Sequence, residues 1–255
     1  MPVDRELLSA YLTKSGAPNW ACPRCRGGHY RLIQDSLFHS WTADTQEASS
    51  HEAFEASWVN QRFVAALKCD NPKCGEVATV AGTGKVDEYP DEDMREMLYE
   101  DVFYPTYFSP SPTLIAIPSN CPAKVVSELT QAFVAIWGDY SSAGNRVRAA
   151  VERLLDALRV PKQTTNANGR RQPIGLHDRI VKTKEKYPDA HDSLLAIKWL
   201  GNAGSHTDAL TRDDVCDALD IFESGLAALY SRHPSAIKRL VKTVNARKGP
   251  ARRRK

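Results

Sequence analysis

No stretch of the chain is apolar over the roughly 20 residues that a bilayer-spanning helix requires, so a helical membrane protein is excluded. Nor does the first turn of sequence read as a secretory leader: Asp4, Arg5 and Glu6 stand where an apolar core would be, and the expected location is the cytoplasm, with no membrane partner. A phosphate-cradling loop is missing as well. Gly82-Thr83-Gly84-Lys85 lacks the upstream Gly, and Val86 replaces the Ser or Thr that would follow the Lys, so the segment reads as a hairpin turn. Neither Asp91 nor Asp189 is followed by the Glu-x-Lys of metal-dependent restriction nucleases, and no internal repeat is visible. What remains is a chain of 255 residues, 42% hydrophobic and 25% charged, long enough to bury a sizeable core as one large or two small domains.

The C-terminal stretch is dense in basic residues and lacks acidic ones. From Lys238 to Lys255 there are nine Lys and Arg and no Asp or Glu, which leaves 25 basic against 31 acidic residues in the preceding 237. The net charge of +3 therefore hides an acidic body and a basic tail. The tail's end, with Arg252, Arg253, Arg254 and Lys255, carries nothing apolar enough to pack and is a candidate arm for nucleic-acid phosphates.

Four of the six cysteines come in close pairs. Cys22-Pro23-Arg24-Cys25 and Cys69-Asp70-Asn71-Pro72-Lys73-Cys74 both read as knuckles, in which a tight turn aims two thiolates at one metal. The β-like runs Tyr30 to Trp41, Phe63 to Leu67 and Glu76 to Val80 adjoin them, so a zinc ribbon with structural Zn2+ on Cys22, Cys25, Cys69 and Cys74 is the expected assembly. In a reducing compartment these pairs would not persist as disulfides, and so small a sheet needs a staple. His29 and His39 are alternative ligands, but four cysteines already fill a tetrahedral site, and both histidines are expected on solvent-facing strand positions. Cys121 and Cys216 stand alone and read as buried, inert thiols.

Between Asp87 and Asp101 lie eight acidic residues and one basic, Arg95, which reads as a solvated helix or linker. The Pro-rich run from Tyr104 to Pro122 reads as an extended connection. Beyond it the period becomes helical. Val126, Leu129, Phe133, Ile136 and Trp137 recur at steps of three and four, as do Val147, Val151, Leu154, Leu155 and Leu158, with further helices through Leu176 to Val181 and Leu194 to Leu200. The last helix has the clearest start: Thr211 as N-cap, Asp214 as its acidic partner, and Leu210 with Val215 as a hydrophobic staple. The expected class is α+β, mainly α. Residues 1–86 form a small zinc-ribbon β domain, 87–121 an acidic and Pro-rich connector, 122–236 an antiparallel helical bundle, and 237–255 a basic helix end and tail.

At the end of one helical pattern stands Gly201-Asn202-Ala203-Gly204-Ser205-His206. Lys198, Asn202 and His206 fall four residues apart and would share a helix face if the helix persists through both glycines. His206 could then move a ribose 2′-hydroxyl proton while Asn202 orients the phosphate, with Lys198, Arg212, Arg146 or Arg148 as the cation for the transition state. The same residues also suit a helix C-terminus.

The segments Trp137 to Leu155, Ala196 to His206 and Thr211 to Val215 resemble the prokaryotic domain-of-unknown-function 4145 family, which is related to the HEPN domains. The resemblance spans about Tyr104 to Tyr230, and the cysteine knuckles ahead of it fit that family's usual arrangement. It implies a HEPN-like bundle that pairs as a homodimer, and a setting in restriction or phage defence with a partner protein or nucleic acid. Active HEPN ribonucleases carry Arg, a polar residue, three variable residues and His. Asn202 and His206 match, but Gly201 stands where the Arg should be and offers no fork of donors for phosphate. The leading expectation is therefore a non-catalytic accessory protein that binds nucleic acid or a partner. The alternatives are a metal-independent endoribonuclease using His206 and Asn202, and a purely structural subunit of a defence complex.

Overall fold

The computed structural model describes residues 3–91, 96–206 and 210–230. The chain opens with the short helix α1 (Arg5–Ser9), capped by the Asp4 carboxylate on the amides of Glu6 and Leu7, and the two-residue strand β1 (Leu12–Thr13). Then come β2 (Tyr30–Leu32), β3 (Phe38–Trp41), α2 (Ala43–Ala48) and three long strands, β4 (Gln61–Cys69), β5 (Val77–Asp91) and β6 (Glu96–Ser109). All pair antiparallel in the order β1-β6-β5-β4-β2, and β3 lies beside β2 on the same edge of β4.

This N-terminal region corrects the sequence expectation. It is a curled antiparallel half-barrel of six strands followed by helices, not a small zinc ribbon. The strict alternation of β4, with Gln61, Phe63, Ala65, Leu67 and Cys69 buried and Arg62, Val64 and Lys68 exposed, shows a sheet with one packed and one open face. The stretch read as connector consists largely of strand. Acidic residues Asp87, Glu88 and Glu100 ride on a β5–β6 ribbon whose outer part is exposed, a placement that tolerates charge and hides the strand period. Gly82 to Lys85 is no turn either. It sits in mid-β5, where a register shift at Ala81/Gly82 bends the ladder and a Cβ on Gly82 would collide with the Tyr104 carbonyl. Residues 110–122, rich in Pro, form no helix or strand, as expected.

The helices follow as α3 (Ala123–Ala135) and α4 (Tyr140–Ala157), then a small hairpin of β7 (Gln163–Thr165) and β8 (Arg171–Pro173). Three more helices complete the described chain: α5 (Leu176–Val181), α6 (Pro188–His206) and α7 (Arg212–Tyr230). Helix α3 packs on α4 and α6 on α7, with α4 also touching α6 and α7. The predicted cap of α7 is present: the Thr211 amide and hydroxyl donate to Asp214 Oδ2 at 2.9 and 2.6 Å, and the Asp214 amide donates to Thr211 Oγ1 at 3.2 Å.

A single buried cluster joins the inner face of the sheet to the helices. At its seam Trp20 meets Phe108 and Trp137 edge to face, with ring centroids 5.1 and 5.7 Å apart, and Phe108 and Trp137 pack tilted at 5.2 Å. The two buried indole N–H groups are satisfied, Trp20 donating to the Leu7 carbonyl and Trp137 to Ser111 Oγ, each at 2.9 Å. Arg5 ties α1 to α7 through Asp213, Asp217 and Asp220.

Candidate metal centre

The two knuckles meet because of strand register. Strand β2 pairs with the end of β4 so that Tyr30 lies opposite Cys69, which carries the loop before β2 onto the loop after β4. In the first loop the Cys22 amide donates to the Gly28 carbonyl at 2.9 Å and the Arg26 amide to the Cys22 carbonyl at 3.0 Å, closing a turn with Arg26 at φ 55°. In the second, the Asn71 carbonyl accepts from the amides of Cys74 and Gly75, while Asn71 Oδ1 accepts from the Lys73 amide. Reciprocal bonds lock one loop to the other: the Asp70 amide donates to the His29 carbonyl at 2.9 Å, and the His29 amide donates to Asp70 Oδ1 at 2.8 Å.

The four sulfurs of Cys22, Cys25, Cys69 and Cys74 lie within 4.8 Å of one another and could hold a metal ion. Cys22 Sγ is 3.7 Å from Cys74 Sγ, and Cys25 Sγ is 3.6 Å from Cys69 Sγ. Metal–sulfur bonds of about 2.3 Å at tetrahedral angles place thiolates about 3.8 Å apart, a spacing that the Cys22–Cys74 and Cys25–Cys69 pairs match. These separations are far too long for disulfides, and all six cysteines are free. Cys22 and Cys69 are buried, whereas Cys25 and Cys74 reach partial exposure.

The thiols of the cluster shift in opposite directions, Cys25 down and Cys69 and Cys74 up. The Gly27 backbone N–H, working against burial and helped by the neighbouring Cys69 thiol, brings the Cys25 thiol down to about 6, so a thiolate stands there near neutral pH. Burial pushes Cys69 up to about 12. Outside the sulfurs, Arg24 reaches Glu76 at 3.6 Å and Arg31 reaches Asp70 at 3.3 Å, two ion pairs that each cross from one knuckle to the other.

Gly28 is the residue whose role the spacing did not announce. A Cβ there would lie 2.6 Å from Cys69 Sγ, 2.8 Å from Asn71 Cβ and 2.9 Å from Asp70 Oδ1. The Gly27-Gly28 pair reads in sequence as turn chemistry, but Gly28 serves close approach of the loops instead. Asp70 carried no signal beyond its place next to Cys69.

Neither histidine joins the cluster. His39 is half-buried on the inner side of β3, its Nδ1 2.6 Å from Gln61 Oε1 and its ring 5.1 Å from Phe103, so it is not a solvent-facing residue. His29 is also half-buried and contributes its backbone to the loop contact. Cys121 and Cys216 stand apart from the cluster; Cys216 is buried as expected, Cys121 is only half-buried, and burial raises both thiols to about 11.

Of the other candidate residues, Lys198, Asn202 and His206 all belong to α6, which continues through Gly201 and Gly204. Four-residue steps place them on one helix face. The side chains of Asn202 and His206 lie outside the described residues, as do Arg252, Arg253, Arg254 and Lys255. The cations considered for a phosphate are engaged elsewhere: Arg146 with Glu128 at 3.2 Å, Arg148 with Glu152 at 3.9 Å, and Arg212 with Ser9 Oγ at 2.6 Å.

The fold thus defines a class, a four-cysteine β half-barrel joined through a common core to a set of helices. Two family models match separate parts of the chain. Residues 10–108, with all four site cysteines, match the model of a domain of unknown function, DUF8608, and residues 130–247 match that of another, DUF4145. No curated protein and no solved structure matches the chain. Among the described residues, no helix is long and apolar enough to cross a membrane.

Proposed function

We propose that this is a non-catalytic accessory protein whose four cysteines hold one structural zinc ion and whose metal-organised loops contact nucleic acid. The observation that carries the reading is the four-sulfur cluster itself, closed between two loops whose exposed tips bear Arg24, Arg26 and Lys73. Four soft thiolates at tetrahedral spacing suit zinc, which would fix the loops without redox chemistry, and binding would release the remaining thiol protons. A cation-rich tip held rigid by metal can grip phosphates, which a mobile loop does at greater entropic cost. The helices, HEPN-like by resemblance, would supply self-association, and restriction or phage defence is the setting that the resemblance implies.

The test is nucleic-acid binding by the zinc-loaded full chain across a range of salt. Affinity should fall steeply with salt, and Arg24→Ala with Lys73→Ala should flatten the dependence, by about 0.7 to 0.9 in slope for each phosphate no longer neutralised. Absence of any salt-dependent binding would sink the nucleic-acid part and favour a purely structural subunit.

One observation keeps the ribonuclease reading alive as a second proposal: α6 runs unbroken through both glycines, which holds Lys198, Asn202 and His206 in register. Incubating the protein with mixed RNA in EDTA, beside His206→Ala, decides it. Cleavage by the wild type that the variant abolishes would favour ribonuclease. Intact RNA in both would leave the accessory reading standing.

A further inference from the structure

Along β4 the outward charges are the cations Arg62 and Lys68, with Arg31 of β2 opposite Lys68 and paired at 3.3 Å with Asp70 just beyond the strand. On β4 the exposed positions are Arg62, Val64 and Lys68, and the register places Phe38 of β3 beside Val64 on one side and Ala81 of β5 on the other, with Tyr107 of β6 beyond Ala81. Phe38, Val64, Ala81 and Tyr107 thus form a row across four strands, about 14 Å long at the usual strand spacing. The row is open to solvent: Phe38 is 65% exposed, Tyr107 48% and Val64 47%. Two residues along β4 from the row, about 7 Å away, stands Arg62, and four residues along in the other direction, about 14 Å away, stands Lys68. Their cross-strand neighbours are Thr83 and Val77 on β5 and Ser40 and Arg31 on the other side, so no carboxylate stands directly opposite either cation. In a body whose acidic residues outnumber its basic ones, that segregation identifies a surface that expects an anion.

We propose that this face is a platform for single-stranded nucleic acid, with bases stacking on Phe38 and Tyr107 and phosphates held by Arg62 and Lys68. The inference rests on the nucleic-acid reading above and moves its main contact from the loop tips to the sheet. The chemistry selects the ligand. A duplex keeps its bases stacked on one another and can offer the face only its backbone, so it leaves both aromatic rings in water. An unpaired strand offers a flat π-face for each ring and a phosphate for each cation, without regard to base identity. A second copy of the chain would cover the apolar row but would bring its own Arg62 and Lys68 against those already there, a like-charge contact.

The experiment is fluorescence anisotropy on the zinc-loaded full chain with labelled oligo(dT) and oligo(U) of roughly 12 nucleotides, a span suited to one small sheet, and with a duplex of the same length. Single strands should bind more tightly than duplex, and the two homopolymers separate DNA from RNA as the natural source. Phe38→Ala and Tyr107→Ala should each weaken single-strand binding about fivefold or more. Arg62→Ala and Lys68→Ala should each lower the salt slope by about 0.7. Tyr107→Trp should keep the affinity and lose the added indole emission on binding, which guards against variants that merely fold poorly. Binding by the wild type that all four alanine variants retain would overturn this proposal and leave the broader reading intact. No binding of any nucleic acid would overturn both. A dimer that dissociates in Phe38→Ala with nucleic-acid affinity unchanged would also overturn it, by making the face a subunit contact.

Discussion

Gly28→Ala adds one methyl group at the tightest point of the metal centre. The new carbon would stand 2.6 Å from Cys69 Sγ, 2.8 Å from Asn71 Cβ and 2.9 Å from Asp70 Oδ1, each well inside ordinary contact. Cys69 cannot yield far, because it ends β4 and its amide is bonded to the Glu76 carbonyl at 2.8 Å. Asp70 is held by the reciprocal bonds to His29. The strain must therefore be taken up by separating the two loops. That opens the sulfur cluster and weakens both ion pairs across it. Overpacking of this kind costs about 1 to 3 kcal/mol, which for a protein of this size lowers the unfolding midpoint by roughly 2 to 10 °C. Because binding energy and folding energy are linked at such a site, the same strain should appear as faster loss of metal to a chromophoric chelator. Thermal unfolding and chelator competition on wild type and Gly28→Ala, both zinc-loaded, measure the two effects. A variant that unfolds at the wild-type temperature and releases metal at the wild-type rate would refute the claim that Gly28 keeps the loops at coordinating distance.

Three further outcomes follow from the packing. Thr211→Ala should cost about 1 kcal/mol by removing the α7 cap. The Thr211 hydroxyl, and then its amide, hold the Asp214 carboxyl below the usual carboxylate range, so this stabilisation is present above the unfolded value of about 3.9 and is lost as pH falls through the folded value. Urea midpoints of wild type and Thr211→Ala should differ at neutral pH and converge in acid, and a gap unchanged with pH would count against the cap. Gly82→Ala should destabilise by about 1 to 3 kcal/mol, since the rigid Tyr104 carbonyl blocks its Cβ, and a wild-type melting curve would contradict the register. Trp137→Phe should cost about 1 to 2 kcal/mol by removing the N–H bonded to buried Ser111 at the seam between sheet and helices, read as a lower urea midpoint with unchanged far-UV circular dichroism.

The metal cluster and the helices were legible in the sequence for a physical reason: both are written in local spacing. Paired cysteines with two and four residues between them declare their turns, and the Thr211/Asp214 pair declares a helix start. The half-barrel was not legible, because β5 and β6 contain the residues that ordinarily end strands. Gly82 and Gly84 make room for the Tyr104 carbonyl and the Phe103 ring, Pro105 sits at the irregular stretch opposite Gly82, and the acidic residues Glu88 and Glu96 lie on an exposed ribbon. Each is a response to a neighbour distant in sequence, which composition alone cannot show. The outward row of Phe38, Val64, Ala81 and Tyr107 was hidden in the same way, since it exists only across four strands in register.

If Cys22, Cys25, Cys69 and Cys74 bind one zinc ion together, metal analysis of the purified full chain will show it. One zinc per chain is expected, lost when Cys22 and Cys69 are both changed to Ser. A chain that carries no zinc after purification and takes up none on titration, or a double variant that keeps a full equivalent, would contradict it.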